Sequence, residues 1–268
     1  MRKICVINQK GGVAKTTTVV NIASGLSRQD KKVLILDLDA QGNSGTCLHA
    51  ASTKDMFDLL IEGADIRECI THLGKNLDMI TSKETLTKAE LILVGEQNRE
   101  KMLCKKLKDL KDYDYVIMDC PPSLGLLNQN AMLYADEAII PVSTDILGYE
   151  ALKKIIRAIT TLNHVFDHGL IISKIVPTLY DQRLTLCREI LDKIRSEYYE
   201  LVAEPIRINS KLKEAPRSGK SIFSYDPFSR GAEDYKRLVQ VIMQDEQRFI
   251  DLAQTKQKMV KIRAEISN

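Results

Sequence analysis

Nine residues near the start of the chain, Lys10 to Thr18 (KGGVAKTTT), bring two glycines, two lysines and three hydroxyls together directly behind the short apolar run KICVIN. Glycines let a backbone curl around an anion with no Cβ in the way, so that successive N–H groups can cradle phosphate oxygens. A lysine can then reach the outer phosphates, and a hydroxyl can hold magnesium. The stretch approximates the phosphate-binding pattern GxxxxGK[ST], with Ala14 in the place of the last glycine. A methyl group fits there if Ala14 keeps a negative φ, which is the expectation. A glycine-rich turn taken alone is an ordinary way to open a helix. Two further sites change its meaning: Asp37 and Asp39 close the run LILDLDAQGN, and Asp119 closes DYVIMDCPPS. Carboxylates at strand ends beside a phosphate loop are the oxygen ligands that a hard, partly hydrated divalent cation takes. Strand alternation puts Asp39 on the same side as Asp37.

Such residues need a scaffold that gathers strand ends. Apolar, β-favouring runs at 3–8, 32–37, 77–80, 115–119, 137–142 and 169–176, with a weaker one at 199–203, alternate with helical patterns at 16–29, 98–110, 124–134, 146–164 and 183–196. Continuous rather than alternating apolar strands, separated by helices, predict a doubly wound α/β fold: a mostly parallel sheet covered on both faces, as a single domain over 1–240. Ligands in such sheets bind outside the carboxyl ends of the strands, where the loop and the aspartates fall. A last helical pattern begins near Ser229. Its outer part, 241–268, carries a ragged apolar stripe (Phe249, Leu252, Met259, Ile262, Ile266) and is expected to be a helical extension or tail.

Of the 268 residues, 44% are hydrophobic and 28% charged, ordinary values for a globular protein. No stretch of about 18 apolar residues occurs, so a cytoplasmic location is expected. The six cysteines are scattered without CxxC pairs and are expected to be neither disulfides nor zinc ligands. His164 and His168 have helical i, i+4 spacing but no third ligand nearby, so a metal site there is not expected. The net charge of +3 is distributed unevenly: residues 1–150 sum to −3, whereas 151–220 sum to +5. Positive charge concentrated in one segment is the electrostatic footprint of a polyanion partner.

Four motifs in order resemble those of the ParA/Soj-type DNA-partitioning ATPases, in the ParA/MinD group with a deviant Walker A loop. KGGVAKTTT resembles KGGxxKT, LDLDAQGN resembles DLDPQGN, DYDYVIMDCPPSLGLLNQNAM resembles the ParA Walker B segment, and EAPRSGKSIFSYDPFSRGAEDY resembles a late motif. The resemblance implies a P-loop ATPase using ATP and Mg2+. Gly11, Gly12, Val13, Ala14, Lys15, Thr16 and Thr17 would hold the triphosphate. Thr16, Asp37 and Asp119 would lie at the metal, and Asp39 would position the attacking water. Lys10 would be the signature lysine that reaches across a nucleotide-sandwich homodimer, so that Lys10, Lys15 and Asp39 form the catalytic set. Aligned on EAP, Asn209 keeps the family's asparagine near the adenine, and Arg207 stands where proline is usual.

The resemblance also implies non-specific DNA binding in the ATP state through late basic residues and a ParB-like centromere-binding partner. Here Lys211, Lys213, Arg217 and Lys220 are the first candidates, with Lys153, Lys154, Arg157, Arg183 and Arg188 behind them. Lysine and arginine contacts to phosphates make such binding indifferent to sequence and steeply salt-sensitive. With a strand expected from residue 3, an N-terminal helix-turn-helix is not expected. A MinD-like membrane ATPase needs an amphipathic, basic C-terminal helix. The tail has a weak apolar face, so no membrane partner is expected. An ATPase coupled to redox chemistry, like the nitrogenase iron protein, needs paired cluster cysteines, and Cys120 has no suitable second.

Overall fold

Runs of apolar residues buried on both sides build the centre of the molecule, seen in a computed structural model that describes residues 1–247. The strands are β1 (Arg2–Val6), β2 (Val33–Asp37), β3 (Ile70–Gly74), β4 (Leu77–Ile80), β5 (Tyr115–Asp119), β6 (Glu137–Ser143) and β7 (Ile171–Thr178). They form one sheet in the order β3-β4-β2-β5-β1-β6-β7, parallel throughout except for the β3–β4 pair. The helices are α1 (Lys15–Ser27), α2 (Asn43–Cys47), α3 (Ile66–Cys69), α4 (Leu86–Leu93), α5 (Met102–Lys106), α6 (Leu126–Tyr134), α7 (Ile146–Phe166), α8 (Thr185–Tyr198), α9 (Ser210–Glu214), α10 (Ile222–Tyr225) and α11 (Arg230–Gln244). Alternate residues of each central strand feed two cores. Ile4, Val6, Ile35 and Ile117 pack with α1 and α11 on one face, whereas Cys5, Leu34, Val116 and Ile140 pack with α6 and α7 on the other. This two-faced burial makes the strands continuously apolar. After β1 the chain runs to β2 on one side, and after β5 it crosses to β6 on the other, so the crevice where the strand order reverses opens beside β1.

Three expectations need correction. The weak strand at 199–203 is a 3₁₀ turn, Tyr199–Leu201, followed by a single bridge from Val202 to Ile175. Pro205 has no N–H with which to extend that ladder. The helix expected at 98–110 is a 3₁₀ turn, Arg99–Lys101, leading into the five-residue α5. The Asn130 amide of α6 breaks it up by taking the Leu103 N–H and donating to the Arg99 carbonyl. β3 and α4 have weak sequence signals, since β3 is a bulged antiparallel edge strand and α4 leaves Leu91 and Ile92 exposed. Residues 248–268, with most of the expected tail, lie outside the described residues.

The third correction concerns Ala14, whose φ of 66° is left-handed rather than negative. A Cβ in that region costs roughly 1–2 kcal/mol, a penalty glycine does not bear. Ala14→Gly should therefore stabilise the protein by about 1 kcal/mol in chemical denaturation, after allowance for glycine's greater freedom when unfolded. Equal or lower stability would mean that the turn has relaxed in solution.

Candidate functional site

The loop between β1 and α1 is pinned before it curls. Asn8 donates through Nδ2 to the Pro141 carbonyl (2.7 Å) and accepts the Lys10 N–H (3.0 Å). Gly12 (φ 73°) and Ala14 then reverse the backbone into α1. No side chain caps the first turn of α1, so its N–H groups face the loop with the positive end of the helix behind them. Thr178 at the end of β7 steadies the loop by donating to the Val13 carbonyl (3.1 Å). Lys15 is buried, and its ammonium donates to the Lys10 carbonyl at 3.3 Å. Burial lowers its pKa, and the charges of Asp119 and Asp39 oppose that shift.

Asp37 and Asp119 end neighbouring parallel strands in register, so their carboxylates stand side by side on the same face of the sheet. Asp37 accepts the N–H groups of Asp39 (3.1 Å), Ser44 (3.1 Å) and Gly45 (3.4 Å), which makes it the anchor of the turn into α2. Asp119 accepts the Ser44 hydroxyl at 2.7 Å through Oδ2. Its Oδ1 is buried with no partner among the described residues. Thr16 lies beside the same carboxylate, and Asp39 is half-exposed at the rim, bound to the Gln41 N–H at 3.0 Å. A buried orphan carboxylate oxygen, a threonine hydroxyl and a second carboxylate form an oxygen-only donor set, which suits magnesium.

Burial raises the pKa of both aspartates, that of Asp119 to about 6. Between pH 3.8, the unshifted value, and about 6, the folded protein holds a proton that the unfolded chain has lost, so the metal-free protein loses stability as pH rises through that window. Asp119→Asn should accordingly raise the metal-free melting temperature at pH 7 by roughly 2–4 °C and remove magnesium dependence from nucleotide binding. A melting temperature unchanged or lowered at pH 7 would reject the electrostatic account.

Lys10 points back into its own chain. Its ammonium meets both carboxylate oxygens of Asp145 (2.7 and 2.8 Å) and the Ser143 hydroxyl (2.9 Å). Asp145 is also the N-cap of α7, accepting the Gly148 N–H at 2.7 Å. A Cβ on Gly148 would stand 2.1 Å from the Ser143 carbonyl oxygen, so the capping turn needs glycine there. Burial works to raise the Asp145 pKa, but the bonds from Lys10, Gly148 and Ser143 outweigh it and hold it below the ordinary value. Sequence reasoning missed Ser143 and Asp145; their signal is the cap-like STD at the end of an apolar strand.

Beside the loop lies a cavity of about 420 Å³ between Gly12, Ala14 and Thr17 on one side and Ile206, Arg207 and Asn209 on the other. Asn209 caps α9, accepting the Lys211 N–H at 2.8 Å. The Arg207 guanidinium is bound to Asp234 and Glu233 of α11. Among the basic candidates, Lys211 is paired with Glu214, Lys153 with Glu150 and Arg183 with Asp181. Lys154 and Arg157 lie on α7, and Arg188, on α8, donates to the Thr185 hydroxyl. Lys213, Arg217 and Lys220 have no carboxylate within ion-pair distance among the described residues. They follow one another along the segment that packs beside α2, where Gly219 lies close to the His49 ring. His168 donates from Nε2 to the Ala135 carbonyl at 3.0 Å.

The AAA_31 family model, an AAA domain, matches residues 1–172. The sporulation initiation inhibitor protein Soj of Bacillus subtilis is 37% identical over 245 residues, covering 89% of this chain and 97% of Soj. The chromosome partitioning protein ParA of Myxococcus xanthus is 36% identical over 249 residues, 90% of this chain and 88% of ParA. Among solved structures, cobyrinic acid a,c-diamide synthase from Mycobacterium smegmatis, with a bound ATP analogue and magnesium, superposes with a TM-score of 0.80 at 29% identity, covering 92% of this chain and 96% of the synthase.

Proposed function

The chain belongs to the ParA/Soj family of partitioning ATPases, and from that premise we propose that it is an ATP-dependent dimeric switch that binds DNA without sequence preference. Lys15 and the backbone of Gly11 to Thr17 hold the triphosphate, and the pocket between Ala14 and Asn209 takes the base. Thr16 and Asp119, with Asp37 behind them, hold magnesium, which supplies positive charge to the phosphate oxygens when bound. Asp39 orients the attacking water from the rim. Catalysis of this kind is positioning plus stabilisation of charge on the transferred phosphoryl group. Lys10 leaves Asp145 to meet the triphosphate of a second copy, so that ATP joins the interface and its γ-phosphate becomes the switch. A ParB-like partner then speeds hydrolysis and resets it. The single observation that carries the reading is Lys15 buried within the electrostatic reach of Asp119, whose second oxygen has no partner among the described residues.

Lys213, Arg217 and Lys220, exposed close together along one segment and with no carboxylate within ion-pair distance among the described residues, are the cations offered to DNA phosphates. The test is DNA retention with ATP, ADP or no nucleotide at several salt concentrations. Retention should require ATP. Reversing all three charges to glutamate should abolish it at physiological salt, and each single alanine should lower the slope of log affinity against log salt by about 1. Retention that is equal without nucleotide, or that survives the triple reversal, would reject the proposal.

A further inference from the structure

The segment that walls the cavity opposite the phosphate loop is held in an uneven way. The Ile206 N–H bonds to the Pro177 carbonyl (2.8 Å) and the Ile208 N–H to the Tyr180 carbonyl (3.0 Å), both on the β7 side. The residue between them faces the other way, and the Arg207 N–H goes to Asp234 Oδ2 at 2.9 Å. Asp234 sits in the second turn of α11 with its side chain fully buried, and a buried carboxylate needs partners that offset the water it has lost. Arg207 itself is one such partner, shared with Arg237: its Nε lies 3.0 and 3.1 Å from the two carboxylate oxygens and its Nη2 lies 2.6 Å from Oδ1. Nη2 also reaches Glu233 at 2.7 Å, and Arg237 contacts both acids. Arg207 therefore neutralises the acceptor of its own backbone N–H. The next residue of α11, Tyr235, lines the cavity and shares a hydrogen bond with Thr18 of α1 at 3.2 Å. One helical turn thus fastens both walls: the segment 206–208 through Arg207, and the phosphate-loop helix through Tyr235.

We propose that Arg207 is a positioning residue for nucleobase recognition, holding the wall of the base pocket in place through Asp234 and Glu233 without touching the nucleotide. The inference rests on the assignment of this cavity to the base of ATP. A wall that is correctly placed for only part of the time weakens apparent affinity by that fraction. Only ligands that carry a base feel the loss, since the phosphate loop is fastened separately.

Calorimetric titrations of the wild type, Arg207→Met and Arg207→Lys with ATP and with inorganic tripolyphosphate, each with magnesium, test this. If the unclamped wall is competent about a tenth of the time, Arg207→Met raises the ATP Kd about tenfold while the tripolyphosphate Kd stays within about twofold. Arg207→Lys keeps the charge but not the planar fork, so it should recover part of the ATP affinity. It also serves as the test variant should Arg207→Met lack a cooperative melt, with an expected loss for ATP of about threefold and none for tripolyphosphate. An unchanged ATP Kd, or equal losses for both ligands, would overturn the role given to Arg207. A wild type that binds neither ligand overturns the nucleotide assignment itself, and the inference with it.

Discussion

Replacing Lys15 with glutamine should reduce ATP hydrolysis by at least about 100-fold and eliminate ATP-dependent DNA retention, while the fold survives. Glutamine is shorter and neutral. It brings no positive charge to the place where negative charge develops during phosphoryl transfer. Lys15 is buried, and in a site shielded from water a fixed cation stabilises such charge far more than a solvated one does. The fold should tolerate the change, because taking a partly desolvated ammonium out of the interior relieves a cost that the neighbouring carboxylates only partly offset. Phosphate release and a thermal melt measured on the same preparation check both halves. Hydrolysis above a tenth of the wild-type rate would remove Lys15 from its assigned role.

Lys10→Ala should produce the second large effect, of a different kind. ATP binding to the single subunit should persist within a few fold, whereas hydrolysis should fall by about 100-fold, the cost of losing a cation at the transferred phosphoryl group. The mass measured by light scattering with magnesium and a slowly hydrolysed ATP analogue should stay that of a monomer, while the wild type doubles. The proposed role requires Lys10 to give up its present partner, and that pair is a weak one. Its pair with Asp145 is well formed at 2.7 Å, but the two side chains are 26% and 44% exposed, and pairs of that kind are worth about 0.2–1 kcal/mol. A triphosphate, with several negative charges, is expected to compete well against it. Asp145→Asn supplies the opposite test, since asparagine keeps the N-cap of α7 but loses the charge. That variant should form the dimer at lower analogue concentration than the wild type. A Lys10→Ala protein that dimerises normally would end the assignment of Lys10 to a second copy's phosphates.

Much of this molecule was legible from its sequence because the relevant signals are local. Apolar runs such as YVIMD and VLILD form β5 and β2 at their expected places, and the aspartates that close them sit at the strand ends. The phosphate loop needs only a strand, a glycine-rich turn and a helix start, which lie within about 15 residues of one another. Local pattern was insufficient where backbone geometry or a competing side chain decided the outcome. Ala14 takes a left-handed conformation that a methyl group disfavours, Asn130 intercepts the backbone of the helix expected at 98–110, and Pro205 stops the last strand.

Taken by themselves, the residues determine a parallel sheet with a phosphate loop and carboxylates at its carboxyl edge, since strand, turn and helix preferences act over a few residues. Tertiary structure alone decides which charges meet: Asp37 beside Asp119, Lys10 on Asp145 and Arg207 on Asp234. Those partners stand 82, 135 and 27 residues apart along the chain. Electrostatic contacts depend on distance in space, which sheet register and helix packing set, and neither is written in the spacing of the residues that meet.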